Sequence, residues 1–207
     1  MTLNPSKDTT IYDDGEGTLS NGAGEFIFAG VTRIGAVRRG LIAFDIAGNV
    51  PAGATVQEVT LTMNLSQTTA GPETVALHRV LADWGEGASD AIANEGKGAP
   101  AEPGDATWMR TGVGEATWES PGGDFVEAPS ASVVATDKGQ TFTWGPSEGM
   151  TADVQGWLDA PDTNAGWLLH GNEDGTRTAK RFDSRQNIEG FPEPQPPVLS
   201  VTYSTAG

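Results

Sequence analysis

The chain contains no cysteine, so disulfide staples, zinc ribbons and thiol nucleophiles are all excluded. Its two histidines, His78 and His170, supply no local spacing for a transition-metal centre, which needs at least a third ligand. Positive charge is scarce: 12 Lys and Arg stand against 28 Asp and Glu, a formal charge of -16. Such a field repels nucleic acid and anionic membranes, and neither is expected as a partner. No apolar run approaches the length of a membrane span, and no charged-then-apolar leader opens the chain, so neither membrane insertion nor a signal peptide is expected within it. A nucleophile elbow of the G-x-S-x-G type is absent too, since Gly87-Ala-Ser-Asp-Ala91 fails at its last position.

What is present favours β structure. With 28 Gly and 13 Pro among 207 residues the chain is too rich in helix breakers for a bundle, and with 37% hydrophobic residues it is too apolar for a disordered tail. One domain over residues 1–207 is large enough to bury a core without staples. Strict two-residue alternation from Val56 to Leu65 puts Val59, Leu61, Met63 and Leu65 on one face and Thr60, Thr62 and Asn64 on the other. Leu41 to Ile46 reads as the antiparallel strand before it, across the turn at Pro51-Ala-Gly-Ala. Further strands are expected at 25–29, 74–81, 140–144, 166–170, 179–183 and 197–203. Asp174-Gly175 predicts a hairpin between two of them. Helical spacing occurs once, where Met150, Val154, Trp157 and Leu158 form a stripe that ends at Asp159-Ala-Pro161. The proline-rich Pro192 to Pro197 is too short to divide domains. The fold class is therefore all-β: a jelly-roll-like antiparallel β-sandwich with one short capping helix. The stretch from about 83 to 127 is a long acidic loop, with ten carboxylates against Lys97 and Arg110 and with Trp84, Trp108 and Trp118 along it. Its indoles either pin the loop to the sandwich or offer a platform for sugar rings.

Several segments taken in order carry a family resemblance: Arg39-Gly-Leu-Ile-Ala-Phe-Asp45, Pro51-Ala-Gly-Ala-Thr-Val56, Leu77-His-Arg-Val80, Asp83-Trp-Gly-Glu-Gly87, Asp153-Val-Gln-Gly-Trp157, Gly166-Trp-Leu-Leu169 and Phe182-Asp-Ser-Arg185. From Asp8 to Tyr203 the chain resembles the DNRLRE-type β-sandwich domain, to which carbohydrate-binding modules of family 96 are similar. The resemblance implies an accessory module of a secreted protein, some such modules binding polysaccharides. The enlarged acidic loop and the low positive charge depart from that pattern and argue against a uronate polymer.

Seven of the twelve cations fall in two short windows, Arg33 to Arg39 and Arg177 to Arg185. Arg181, Asp183 and Arg185 alternate onto one strand face, where guanidinium forks can meet sugar hydroxyls or carboxylates, or simply pair with the surplus acids. The residues expected to contact a ligand are Arg38, Arg181, Arg185, Trp84 and Trp108. Asp13, Asp14 and Glu16, on a Gly-rich loop near Asn21, form a candidate site for a structural Ca2+. The sequence thus leads to a non-catalytic, secreted or cell-surface polysaccharide-binding module. The alternative is a structural spacer or adhesive domain that associates with itself or with other surface domains.

Overall fold

The computed structural model describes residues 1–188 and 195–205; Pro192, Glu193 and Pro194 of the proline-rich stretch lie outside them. In chain order the strands begin with β1 (Thr2–Leu3), β2 (Lys7–Tyr12), β3 (Leu19–Ser20), β4 (Phe26–Val31) and β5 (Val37–Ala43). They continue with β6 (Thr55–Thr68), β7 (Glu73–Arg79), β8 (Ala99–Pro100), β9 (Ala131–Ala135) and β10 (Gln140–Trp144). After the helix α1 (Glu148–Asp159) come β11 (Trp167–His170), β12 (Lys180–Asp183) and β13 (Val198–Ser204).

The long alternating run becomes β6, the axis of the front layer. β10 pairs with one side of it, while β13 and then β12 pair with the other. β1 extends this layer beyond β13, and β4 extends it beyond β12. The back layer runs β2, β5, β11, β7, β9. All these pairings are antiparallel, and β4 joins the layers: Phe26 to Ala29 pair with β12 in front, whereas Gly30 and Val31 pair with β5 behind. The corner needs its glycine. Gly30 has φ +104°, and an added Cβ would lie 3.0 Å from the Thr178 hydroxyl.

Between the layers Ile27, Ile42, Val59, Leu61, Met63, Leu65, Val75, Leu77, Trp144, Trp167, Leu169, Phe182 and Leu199 form the main core. The helical stripe read from sequence, Met150, Val154, Trp157 and Leu158, is the buried face of α1 and closes this core. Ser147 caps the helix, its hydroxyl accepting from the Met150 N–H. Trp157 meets Trp167 edge-on at 4.6 Å between ring centroids.

Two expectations about connectivity need correction. β11 and β12 do not form a hairpin at Asp174-Gly175: β11 pairs with β5 and β7 behind, and β12 with β4 and β6 in front. The connection crosses between layers, and its left-handed residue is Arg177 at φ 64°. The Thr178 hydroxyl, bound to the Asn172 carbonyl and to the Val31 N–H, fixes that crossing. Nor does the run ending at Ile46 pair with β6. β5 ends at Ala43 in the back layer, and a turn in which Asp45 accepts from the Gly48 N–H carries the chain to the front. Five strands went unread: β2 and β9, and the two-residue β1, β3 and β8. Buried Asp8, Thr9 and Thr10 hide the alternation of β2.

The long stretch between β7 and β9 acts as a third layer. Trp84, Ala106 and Trp118 from it pack on Ile11, Leu41, Ala43, Val80 and Leu168, which are apolar residues of or just beyond the back strands. The Trp84 and Trp118 indole N–H groups donate to the carbonyls of Ala165 and Thr107, each at 2.8 Å. Of the two readings of these indoles, the packing matches the first: they pin the loop.

Candidate functional site

With the back layer roofed over, the broad sheet surface left open is the outer face of the front layer. Inward Val59, Leu61, Met63 and Leu65 force Thr60, Thr62, Asn64 and Ser66 outward on β6. On β10, Phe142 and Trp144 point inward, leaving Thr141 and Thr143 exposed. On β13, Leu199 and Val201 do the same for Ser200 and Thr202. Register then sets Thr143 beside Thr62, Thr141 beside Asn64 and Ser200 beside Thr60. The Thr62 and Thr143 hydroxyls lie 2.9 Å apart. Neighbouring strands are about 4.8 Å apart, with same-face residues about 7 Å apart along each, so hydroxyls and amides form a regular grid.

Arg181 stands at the margin of this grid. Its guanidinium lies 3.6 Å from the centroid of the Phe26 ring, and its Nε donates to the Ser66 hydroxyl at 3.3 Å. Burial lowers its pKa, and the charges of Asp183, Glu95 and Glu25 oppose that. Asp183 shares the face as expected but is buried, its oxygens accepting from the side-chain amides of Asn64 and Asn187.

The other expected contact residues are dispersed and mostly engaged within the protein. Arg38 is 5% exposed, lies over the Tyr12 ring, and donates to the carbonyls of Gly96, Val37 and Asp13. Arg185 forks onto the Glu86 carboxylate, a contact that raises its pKa. Trp84 is 1% exposed and sits in the roof core, so it forms no platform for a sugar. Trp108 is half-buried, with the Arg39 guanidinium 4.9 Å from its ring centroid, and it belongs to the roof over the back layer, not to the face holding Arg181. Arg38, Trp84 and Trp108 thus belong to the back layer and its roof and not to the front face. Of the remaining cations of the two windows, Arg33 and Arg177 are exposed, while Arg39 and Lys180 are engaged within the protein. Arg39 forks onto Glu173 with both bonds at 2.8 Å, and buried Lys180 donates to the carbonyls of Gly71 and Thr136.

The acidic turn is held by its own backbone. Asp14 accepts from the Glu16, Gly17 and Thr18 N–H groups and the Thr18 hydroxyl. Burial pushes this carboxyl up, but those donors outweigh it and leave its pKa below the usual range. Asp13 accepts from the Gly15 N–H, and Glu16 is exposed. Among the described residues no group of three His, Asp or Glu side chains comes together where a metal ion could be held.

Two further clusters lie apart from the grid. His78 and His170 face each other at 5.4 Å beneath Phe125, and His170 Nε2 lies 3.3 Å from Glu173. At the root of the roof, Asp8 is buried beside Glu86 and Arg185. It accepts from the Arg185 N–H at 2.8 Å, while its own N–H donates to Glu86. Burial lifts its pKa to about 7. The Arg185 N–H works against that rise, as does the Arg185 charge, and the Glu86 charge adds to it.

No family model matches the chain, and no curated protein does either. Among the described residues, no helix is long and apolar enough to cross a membrane. What bears on function is therefore the geometry of the faces. The outward row of β6 was legible in its alternation, and the same period-two signal in 140–144 and 198–204 would have supplied Thr141, Thr143, Ser200 and Thr202. Phe26 carried no signal, because its partnership with Arg181 is made across two strands.

Proposed function

We propose that this protein is a non-catalytic polysaccharide-binding module whose binding surface is the outer face of the front layer. The observation that carries the reading is the uncovered grid of Thr60, Thr62, Asn64, Thr141, Thr143 and Ser200, bordered by Arg181 over Phe26. The strand spacing is comparable to the length of one pyranose unit, so a linear polymer laid across the strands meets a fresh row of hydroxyls and amides with each sugar. Few charges lie in the grid, while the chain as a whole carries -16; both features favour a neutral polymer over a uronate. The resemblance to DNRLRE-type domains supports the same reading and a secreted or cell-surface setting.

Affinity electrophoresis through gels cast with neutral or uronate polymers tests this. Retardation by a neutral polymer is expected, and Arg181→Ala should weaken it about tenfold through loss of a charged hydrogen-bond donor. Uniform silence across the polymers, or retardation unaffected by Arg181→Ala and by Thr62→Asp alike, overturns the proposal.

A further inference from the structure

The far end of the roof rests on a seam of basic groups. His78 of β7 and His170 of β11 share the outer face of the back layer, because Leu77 and Leu169 point inward and Leu168 pairs with His78. Arg39 continues the row on β5, whose Gly40 pairs with Leu169. The Phe125 ring lies across all three, its centroid 5.2 Å from that of His78, 5.9 Å from that of His170 and 5.4 Å from the Arg39 guanidinium. Hydrogen bonds tie the segment around it. Arg39 donates to the Gly122 carbonyl, the Val126 N–H to the Arg79 carbonyl, and the Leu81 N–H to the Asp124 carbonyl. His78 Nδ1 lies 2.9 Å from the Val126 carbonyl, which can only accept, so Nδ1 carries the hydrogen.

We propose that His78 and His170 form an acid-released clasp, closed over the 122–126 segment while both imidazoles are neutral and open once both are protonated. One carboxylate faces the seam. Both oxygens of Glu173 already accept from Arg39 at 2.8 Å, and His170 Nε2 lies 3.3 Å from one of them. The other charged groups nearby do not serve the imidazoles: Asp124 accepts from the Glu119 and Ser120 N–H groups, Arg79 pairs with Asp153, and Glu127 is exposed. Double protonation therefore sets three positive charges under one ring against a single negative one. Burial lowers the His170 pKa, and the Arg39 and His78 charges act in the same direction, while the Glu173 charge and the Gly171 backbone oppose them. The folded protein thus holds this proton less tightly than the unfolded chain, where an imidazole titrates near 6.5. The stability linked to the neutral ring is fully present above about pH 6.5 and is lost as pH falls. Gly123 rests on Leu168 and Ile11, so opening uncovers apolar surface. Acid leaves the root of the roof fastened, because Asp8 there is protonated below about 7. Release is confined to the far end.

Hydrogen exchange of the full chain at about pH 7.5 and about pH 5, with labelling times scaled to the intrinsic rate at each pH, reads the clasp. The Leu81, Gly122 and Val126 amides should exchange about tenfold faster in acid, and the Gly85 amide, bonded to the Thr111 carbonyl at the root, should not. His78→Asn keeps an N–H where Nδ1 stands, His170→Gln keeps one where Nε2 stands, and neither side chain titrates. The double variant should lose the acid effect. If it exchanges fast at both pH values, His170→Gln alone replaces it and should cut the effect to about threefold or less. Scaled exchange that acid leaves unchanged, equal acceleration at Gly85, or an acid effect undiminished in the variant overturns the inference.

Discussion

Arg38 and Arg181 both sit on central strands near aromatic rings, yet their surroundings give them different work. Arg38 is enclosed and holds three carbonyls, so Arg38→Ala should cost about 2–3 kcal/mol by leaving buried acceptors unpaired. Denaturant unfolding reads that loss, which should come with no direct effect on a glycan bound at the front face. Asp8 shows the same principle for an acid. Its carboxyl is raised from 3.8 to about 7, so the folded protein holds that proton more tightly than the unfolded chain does. The stability linked to the proton is fully present below about pH 4 and is lost as pH rises through about 7. Asp8→Asn mimics the protonated form. It should stabilise the protein at pH 8 by on the order of 1–4 kcal/mol and far less at pH 5, read from urea unfolding at the two pH values. An equal gain at both would show that Asp8 ionises freely in the fold.

At the scale of elements, the roof over the back layer depends on a few large side chains. Trp84→Ala should cost about 3–5 kcal/mol and speed amide exchange across residues 83–127, whereas Trp108→Ala, removing a half-buried ring, should leave that protection nearly intact. Hydrogen exchange followed by mass spectrometry separates the two outcomes. Most of the strands and the helix could be read from the chain because each needs only its own period: 59, 61, 63 and 65 point inward whatever lies across from them, and Met150 to Leu158 carries its own stripe. Partnership is what local pattern does not encode. Whether β11 turns back on β12 or crosses between layers depends on Asn172, Thr178 and Val31 meeting in space. Whether Trp84 is displayed or buried depends on Ile11 and Leu168, far off in the chain. The arginine windows were visible as composition, but Gly96, Glu173 and Glu86, which occupy Arg38, Arg39 and Arg185, lie 58 to 134 residues away.

For the whole molecule, what matters is that its two broad surfaces differ. One is a hydroxyl and amide grid on a regular lattice, and the other is buried beneath a segment with ten carboxylates and two cations. If the grid is the binding surface, raising ionic strength should alter retardation by a neutral polymer little, because few phosphate-like or carboxylate contacts are involved. A steep loss of binding with salt would instead point to the cationic margin around Arg181. The roof also gives an adsorbed molecule a fixed polarity. Held by its grid on a flat polymer, every copy would turn its acidic segment towards the solvent, and a dense coating would present the surroundings with an anionic skin over an uncharged fibre.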